Sequence, residues 1–143
     1  MSPDRKTVER HLRELKRIVT VLRSHRGVTP ADLERDPTRA LAIEHGLQLA
    51  IQSVLGVANH LVSAKATETP DSYESVLVSL GRTGIVPPEF AERIRGMAGL
   101  RNILVHSYLE VDFAKLIAAL GRLGDFEEFA KYALKAIDRS TGD

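Results

Sequence analysis

The chain is predicted to be all-α: an antiparallel bundle of four to five main helices in one domain over residues 1–143. Three observations carry this. Apolar residues recur at steps of three and four in each long segment, the spacing that puts them on one helix face. No segment alternates apolar and polar residues with β-branched enrichment, so no strand is expected. Short stretches bearing Pro, Gly and capping residues join the segments, which suits antiparallel neighbours.

In the first helix Val8, Leu12, Leu15, Val19 and Leu22 form the apolar face, while Arg5, Lys6, Arg10, Arg13, Lys16, Arg17, Arg23 and Arg26 fill much of the rest. Ser2 or Asp4 can cap its start and Gly27 can end it. Thr29-Pro30-Ala31-Asp32 reads as a capping residue followed by a first-turn proline, and Asp36-Pro37 as a break or restart. A long helix then spans about residues 37–66. Ile43, Leu47, Ala50, Val54, Ala58 and Leu61 form its apolar stripe, widened by Ile51, Leu55 and Val62. A second stripe is polar: Glu44, Gln48, Gln52, Asn59 and Ser63. On a deeply buried helix such a stripe faces a cleft, a subunit interface or solvent. Residues 72–80 form the next helix, carrying Tyr73, Val76, Leu77 and Leu80 and ended by Gly81-Arg82-Thr83-Gly84. Pro87-Pro88 opens another, carrying Phe90, Ile94, Met97, Leu100 and Leu104. The last helix runs over about residues 112–137, and Gly121 and Gly124 bend or break it.

Composition narrows the function. Apolar residues at 43% and charged residues at 27% indicate a globular chain. No Cys is present, which excludes disulfides, thiolate metal sites and Cys nucleophiles. The five His residues, at 11, 25, 45, 60 and 106, show no ligand spacing, so no metal and no cofactor are expected. No apolar run is read as a membrane span and no signal peptide is read at the start, so a cytoplasmic protein is expected. Net charge is +1, yet residues 1–39 hold ten Lys and Arg against six Asp and Glu. That basic portion suits phosphate, an acidic partner or simply solvent. Aromatics are only 5%, too few for extensive base-stacking platforms. Phosphate-cradling Gly loops, dinucleotide fingerprints and zinc-protease motifs are missing.

The remaining candidate is Arg101-Asn102-Ile103-Leu104-Val105-His106-Ser107-Tyr108. At about 100° per residue, Arg101, Asn102, His106 and Tyr108 share an arc of roughly 160° on a helix. Arg can hold a phosphate through two parallel hydrogen bonds, and His moves protons near neutral pH. Together they suit metal-free RNA cleavage, with the 2′-hydroxyl attacking the adjacent phosphate. A single His does not readily act as base and acid in one step, so two chains about a two-fold axis would complete the chemistry. On geometry alone, the same four residues also suit an interface or capping role.

The order Arg101, Asn102, His106, Tyr108 resembles the motif of HepT-like ribonuclease toxins of the HEPN superfamily. The flanks Met97-Ala98-Gly99-Leu100 and Val111-Asp112 are similar, as are Leu47–Ile51, Val57–Leu61, Pro70-Asp71-Ser72-Tyr73 and Gly84-Ile85-Val86. The resemblance implies a HEPN-type homodimer that cuts RNA, with Arg101 and His106 catalytic and Asn102 and Tyr108 supporting. It further implies an MntA-like nucleotidyltransferase antitoxin as partner, and Tyr108 as the residue that partner modifies with AMP. The alternative within the same resemblance is a non-catalytic nucleotide- or substrate-binding subunit of a small nucleotidyltransferase.

Overall fold

The computed structural model describes residues 4–65, 70–106 and 111–141. Among these, eight helical segments follow one another: α1 (Arg5–Arg23), α2 (Pro30–Arg35), α3 (Pro37–Lys65), α4 (Tyr73–Arg82), α5 (Pro88–Ile94), α6 (Met97–His106), α7 (Phe113–Leu120) and α8 (Leu123–Thr141). No strand occurs among the described residues, so the fold is all-α as expected. α3 is the axis of the bundle. It packs against α1, α4, α6 and α8, with α2 and α7 closing one end.

The sequence sets these elements locally. Asp4 caps α1: its carboxylate accepts from the backbone N–H groups of Lys6 at 3.1 Å and Thr7 at 3.4 Å. The Asp4 N–H itself donates to His60 Nε2 at 2.7 Å, which ties the start of α1 to the far part of α3. Thr29 and Asp32 form a reciprocal capping box at α2. α1 stops at Arg23, and Gly27 turns the chain with φ of +87°, a left-handed conformation that glycine adopts without steric cost.

Two expected helices are each divided in two. The helix opened by Pro88 breaks at Arg95-Gly96, where the Arg95 N–H bonds Glu92 and the Ala98 N–H bonds Arg95, each at 3.4 Å and three residues back. Glycine there weakens the helix, and Arg95 reaches sideways to Glu74 of α4, with Nε donating at 2.7 Å. The last helix breaks at Gly121-Arg122, where the Arg122 N–H bonds the Ala119 carbonyl at 3.0 Å. Arg122 also donates to the Arg93 carbonyl and to Asp125, locking the corner.

The core is continuous from α1 through α3 to α8, with Leu15, Leu22, Ile43, Leu47, Leu77 and Phe129 among its fully buried side chains. Each such burial contributes about 1.5–3 kcal/mol before entropy is counted. α1 and α3 approach so closely that a Cβ on Gly46 would lie 2.8 Å from Leu22 Cδ2. α3 has 29 residues and contains an 18-residue stretch of mean hydropathy 1.3, so by length and composition it is long and apolar enough to cross a membrane, where no apolar run was expected to read as a span. Eleven of its residues are buried by the surrounding helices, so that hydropathy belongs to the axis of a bundle core.

Candidate active site

α6 carries the motif. It lies against α3 and α4. Of its apolar residues only Ala98 is fully buried; Leu100, Leu104 and Val105 are half-buried and Ile103 is 37% exposed. The apolar residues of this segment, expected to be buried, are thus incompletely covered by the chain itself.

Arg101 is half-buried and clamped. Its guanidinium carbon sits 4.6 Å from the centre of the Tyr73 ring, and its Nη1 donates to Asn102 Oδ1 at 3.3 Å. Its Nε is buried and has no hydrogen-bond partner among the described residues. Leaving a buried donor unpaired costs about 1–3 kcal/mol, more for a charged group, so the site holds this group where an acceptor is missing.

Tyr73 is the first residue of α4. Ser72 caps that helix by accepting from the Ser75 N–H at 3.0 Å. The carboxylates beside the ring are engaged elsewhere: Asp71 accepts from Ser75 Oγ and Glu74 pairs with Arg95. They therefore leave the Arg101 charge unneutralised by direct contact.

Arg101 and Asn102 open onto a cleft of about 810 Å3 between α3, α4 and α6. It is also lined by part of the polar stripe of α3, Gln52 and Asn59, with Gly56 between them. For these two residues the stripe faces a cleft, one of the three environments expected for it. Glu44, on the same stripe, lines a separate recess near Val111 and Phe113, where burial pushes its carboxyl above the usual range.

His106, the last residue of α6, is exposed and does not line the Arg101 cleft. Five residues on, it lies about 7.5 Å further along the helix axis. The structure therefore brings Arg101 and Asn102 together and sets His106 at the adjoining end of the same helix. Tyr108 lies outside the described residues. Tyr73 was expected on the apolar side of its helix; it is 42% exposed and supports Arg101 instead. No spacing rule links residues 73 and 101, and the resemblance of Pro70-Asp71-Ser72-Tyr73 was the one available signal. No group of three or more His, Asp or Glu converges among the described residues.

The arrangement of these helices is that of HEPN toxins. A tri-AMPylated HEPN toxin of Shewanella oneidensis, solved in complex with its MNT antitoxin, superposes with a TM-score of 0.78 over 90% of this chain and 96% of that one, at 23% identity. At that identity the likeness speaks for the fold. Sequence comparison settles the family: the family model for HepT-like ribonucleases matches residues 8–133, and the chain belongs to that family. Among its relatives is a tRNA nuclease HepT of Aphanizomenon flos-aquae, 28% identical over 114 residues, covering 79% of this chain and 77% of that protein. Another is an mRNA nuclease HepT of Shewanella oneidensis, 25% identical over 69% of this chain and 75% of that protein.

Proposed function

We propose that this chain is a metal-independent endoribonuclease, the cytoplasmic toxin of a toxin–antitoxin pair. Arg101 and His106 from two copies form its cleaving site. The observation that carries this reading is the clamped Arg101 guanidinium. Tyr73 and Asn102 hold it, its Nε lacks an acceptor among the described residues, and it opens on a cleft, with His106 exposed at the end of the same helix.

In the reaction, the 2′-oxygen attacks the adjacent phosphorus as one His106 takes its proton. The bond to the 5′-oxygen breaks, and the second copy's His106 protonates the leaving group. Arg101 stabilises the charge that builds on the phosphoryl oxygens. The products end in a 2′,3′-cyclic phosphate and a 5′-hydroxyl. The incompletely covered apolar residues of α6 supply the surface for the second copy. The partner is an MntA-like nucleotidyltransferase. Adding AMP to Tyr108 would bring negative charge beside Arg101 and repel RNA.

The test is cleavage of total RNA in EDTA by the wild-type chain and by Arg101→Ala and His106→Ala. Each substitution is expected to lower the rate by about 10²–10³-fold without unfolding the protein. Equal, unchanged cutting by all three would reject the assignment.

A second reading is favoured by one observation: His106 lies outside the cleft that holds Arg101. On that reading the chain is a non-catalytic subunit that binds nucleotide or substrate for the nucleotidyltransferase. Expression of the chain alone separates the two, because the toxin arrests growth and the binding subunit does not.

A further inference from the structure

The part of α3 that lines the Arg101 cleft carries a glycine, Gly56, and two exposed amides, Gln52 and Asn59. Gly56 sits at mid-helix, where glycine is disfavoured by its backbone freedom. Packing does not explain it. A Cβ placed on Gly56 would meet none of the described residues within 4 Å, whereas one on Gly46 of the same helix would strike Leu22. The space over Gly56 therefore belongs to the cleft and not to a neighbouring helix.

Gln52 and Asn59 flank that space one helical turn away on either side. Neither amide has a hydrogen-bond partner among the described residues. Each presents a donor and an acceptor side by side, the pattern that pairs with the edge of an unpaired nucleobase. The same cleft is lined by Arg101, whose buried Nε has no partner among the described residues, and by Asn102. A volume of about 810 Å3 falls within the range of small-ligand pockets.

We infer that this cleft is a nucleoside-binding subsite. Gln52 and Asn59 hydrogen-bond the base of one unpaired nucleotide over the bare backbone at Gly56, and Arg101 holds its phosphate. The inference deepens the proposed ribonuclease reading by assigning the residues that choose where RNA is cut, and it rests on that reading only for the identity of the bond cleaved.

The test titrates the His106→Ala chain with inorganic phosphate and with each of the four nucleoside 5′-monophosphates, read by calorimetry. At least one nucleotide is expected to bind about tenfold or more tighter than phosphate. Gln52→Ala and Asn59→Ala should reduce that gain and Gly56→Leu should abolish it, with phosphate affinity unchanged. Both alanine and leucine suit a helix, and a Cβ on Gly56 meets none of the described residues within 4 Å, so the substitution begins in open space. The inference is overturned if no nucleotide binds more tightly than phosphate, or if the gain survives Gly56→Leu. It is also overturned if Gly56→Leu changes the mass in sedimentation, which would assign the cleft to a second copy. Nucleotide binding with these variant effects in a chain that never cuts RNA would retain the subsite and reject the ribonuclease. Cutting without any nucleotide gain over phosphate would do the reverse.

Discussion

The Arg101 guanidinium lies 4.6 Å from the centre of the Tyr73 ring, close enough for the ring face to attract the charge and fix its plane. Such contacts contribute roughly 0.5–2 kcal/mol, and about 1.4 kcal/mol is a tenfold change in rate. Tyr73→Leu should therefore lower kcat on an RNA oligonucleotide by about two- to thirtyfold. Tyr73→Phe keeps the ring and should retain most of the activity. Because Tyr73 is 42% exposed, the melting temperature should barely move in either variant. Equal losses in the Leu and Phe variants would shift the explanation from the ring to the hydroxyl. His106 needs no such support to be found: its type and its spacing from Arg101 were legible in the sequence, whereas its place as the last residue of a separate α6 was not, because the stretch from Arg101 to Tyr108 reads as one continuous helix. Tyr73 was not legible as a support for Arg101. The contact joins residues 28 positions apart through the docking of α4 on α6, which no local periodicity encodes.

At the scale of the elements, the helix starts link stability to pH. The hydrogen bond from the Thr7 hydroxyl, then the Thr7 backbone N–H, holds the Asp4 carboxyl below its ordinary value of 3.8. Asp32 is lowered from the same value chiefly by the backbone N–H of Thr29. A carboxyl depressed in the folded chain contributes stability that is fully present above its unfolded value and is lost as pH falls through the folded one. The melting temperature should accordingly be insensitive to these two groups above about pH 5 and fall as acidification proceeds below pH 4. Asp4→Asn and Asp32→Asn keep a capping side chain but remove the titration, so scanning calorimetry should show a shallower acid limb in the double variant. An unchanged limb would assign the acid sensitivity to other carboxyls. These starts were readable because a cap is a local event: Thr29-Pro30 and the Asp36-Pro37 restart stand where the residues put them. The breaks at Gly96 and Gly121 were less so. Gly124 stands within α8 without ending it. At Gly96 and Gly121 the break coincides with Arg95 reaching to Glu74 and Arg122 to the Arg93 carbonyl, contacts that exist only once the bundle has formed.

At the scale of the whole molecule, the incompletely covered side of α6 connects packing to chemistry. Ile103 is 37% exposed beside half-buried Leu104 and Val105, on the helix that also carries Arg101 and His106. If a second copy covers this strip, as the proposed composite site requires, one substitution should affect assembly and activity together. Ile103→Asp places a charge where apolar contact is needed and is expected to halve the mass measured by sedimentation and to abolish RNA cutting. The exposed position should leave the monomer folded, because it contributes little to the core around α3. Mixing provides the complementary test. Arg101→Ala and His106→Ala chains are each inactive alone on the proposed mechanism, but a mixed dimer holds one Arg101 and one His106 in the shared cleft. Subunit exchange between the two should therefore restore cutting above either parent, though below wild type because one proton-transfer group is missing. The same mixture made in the Ile103→Asp background should restore nothing. Recovery in that background would place the second copy on another face, while no recovery in either would mean that each chain must supply Arg101 and His106 to its own site.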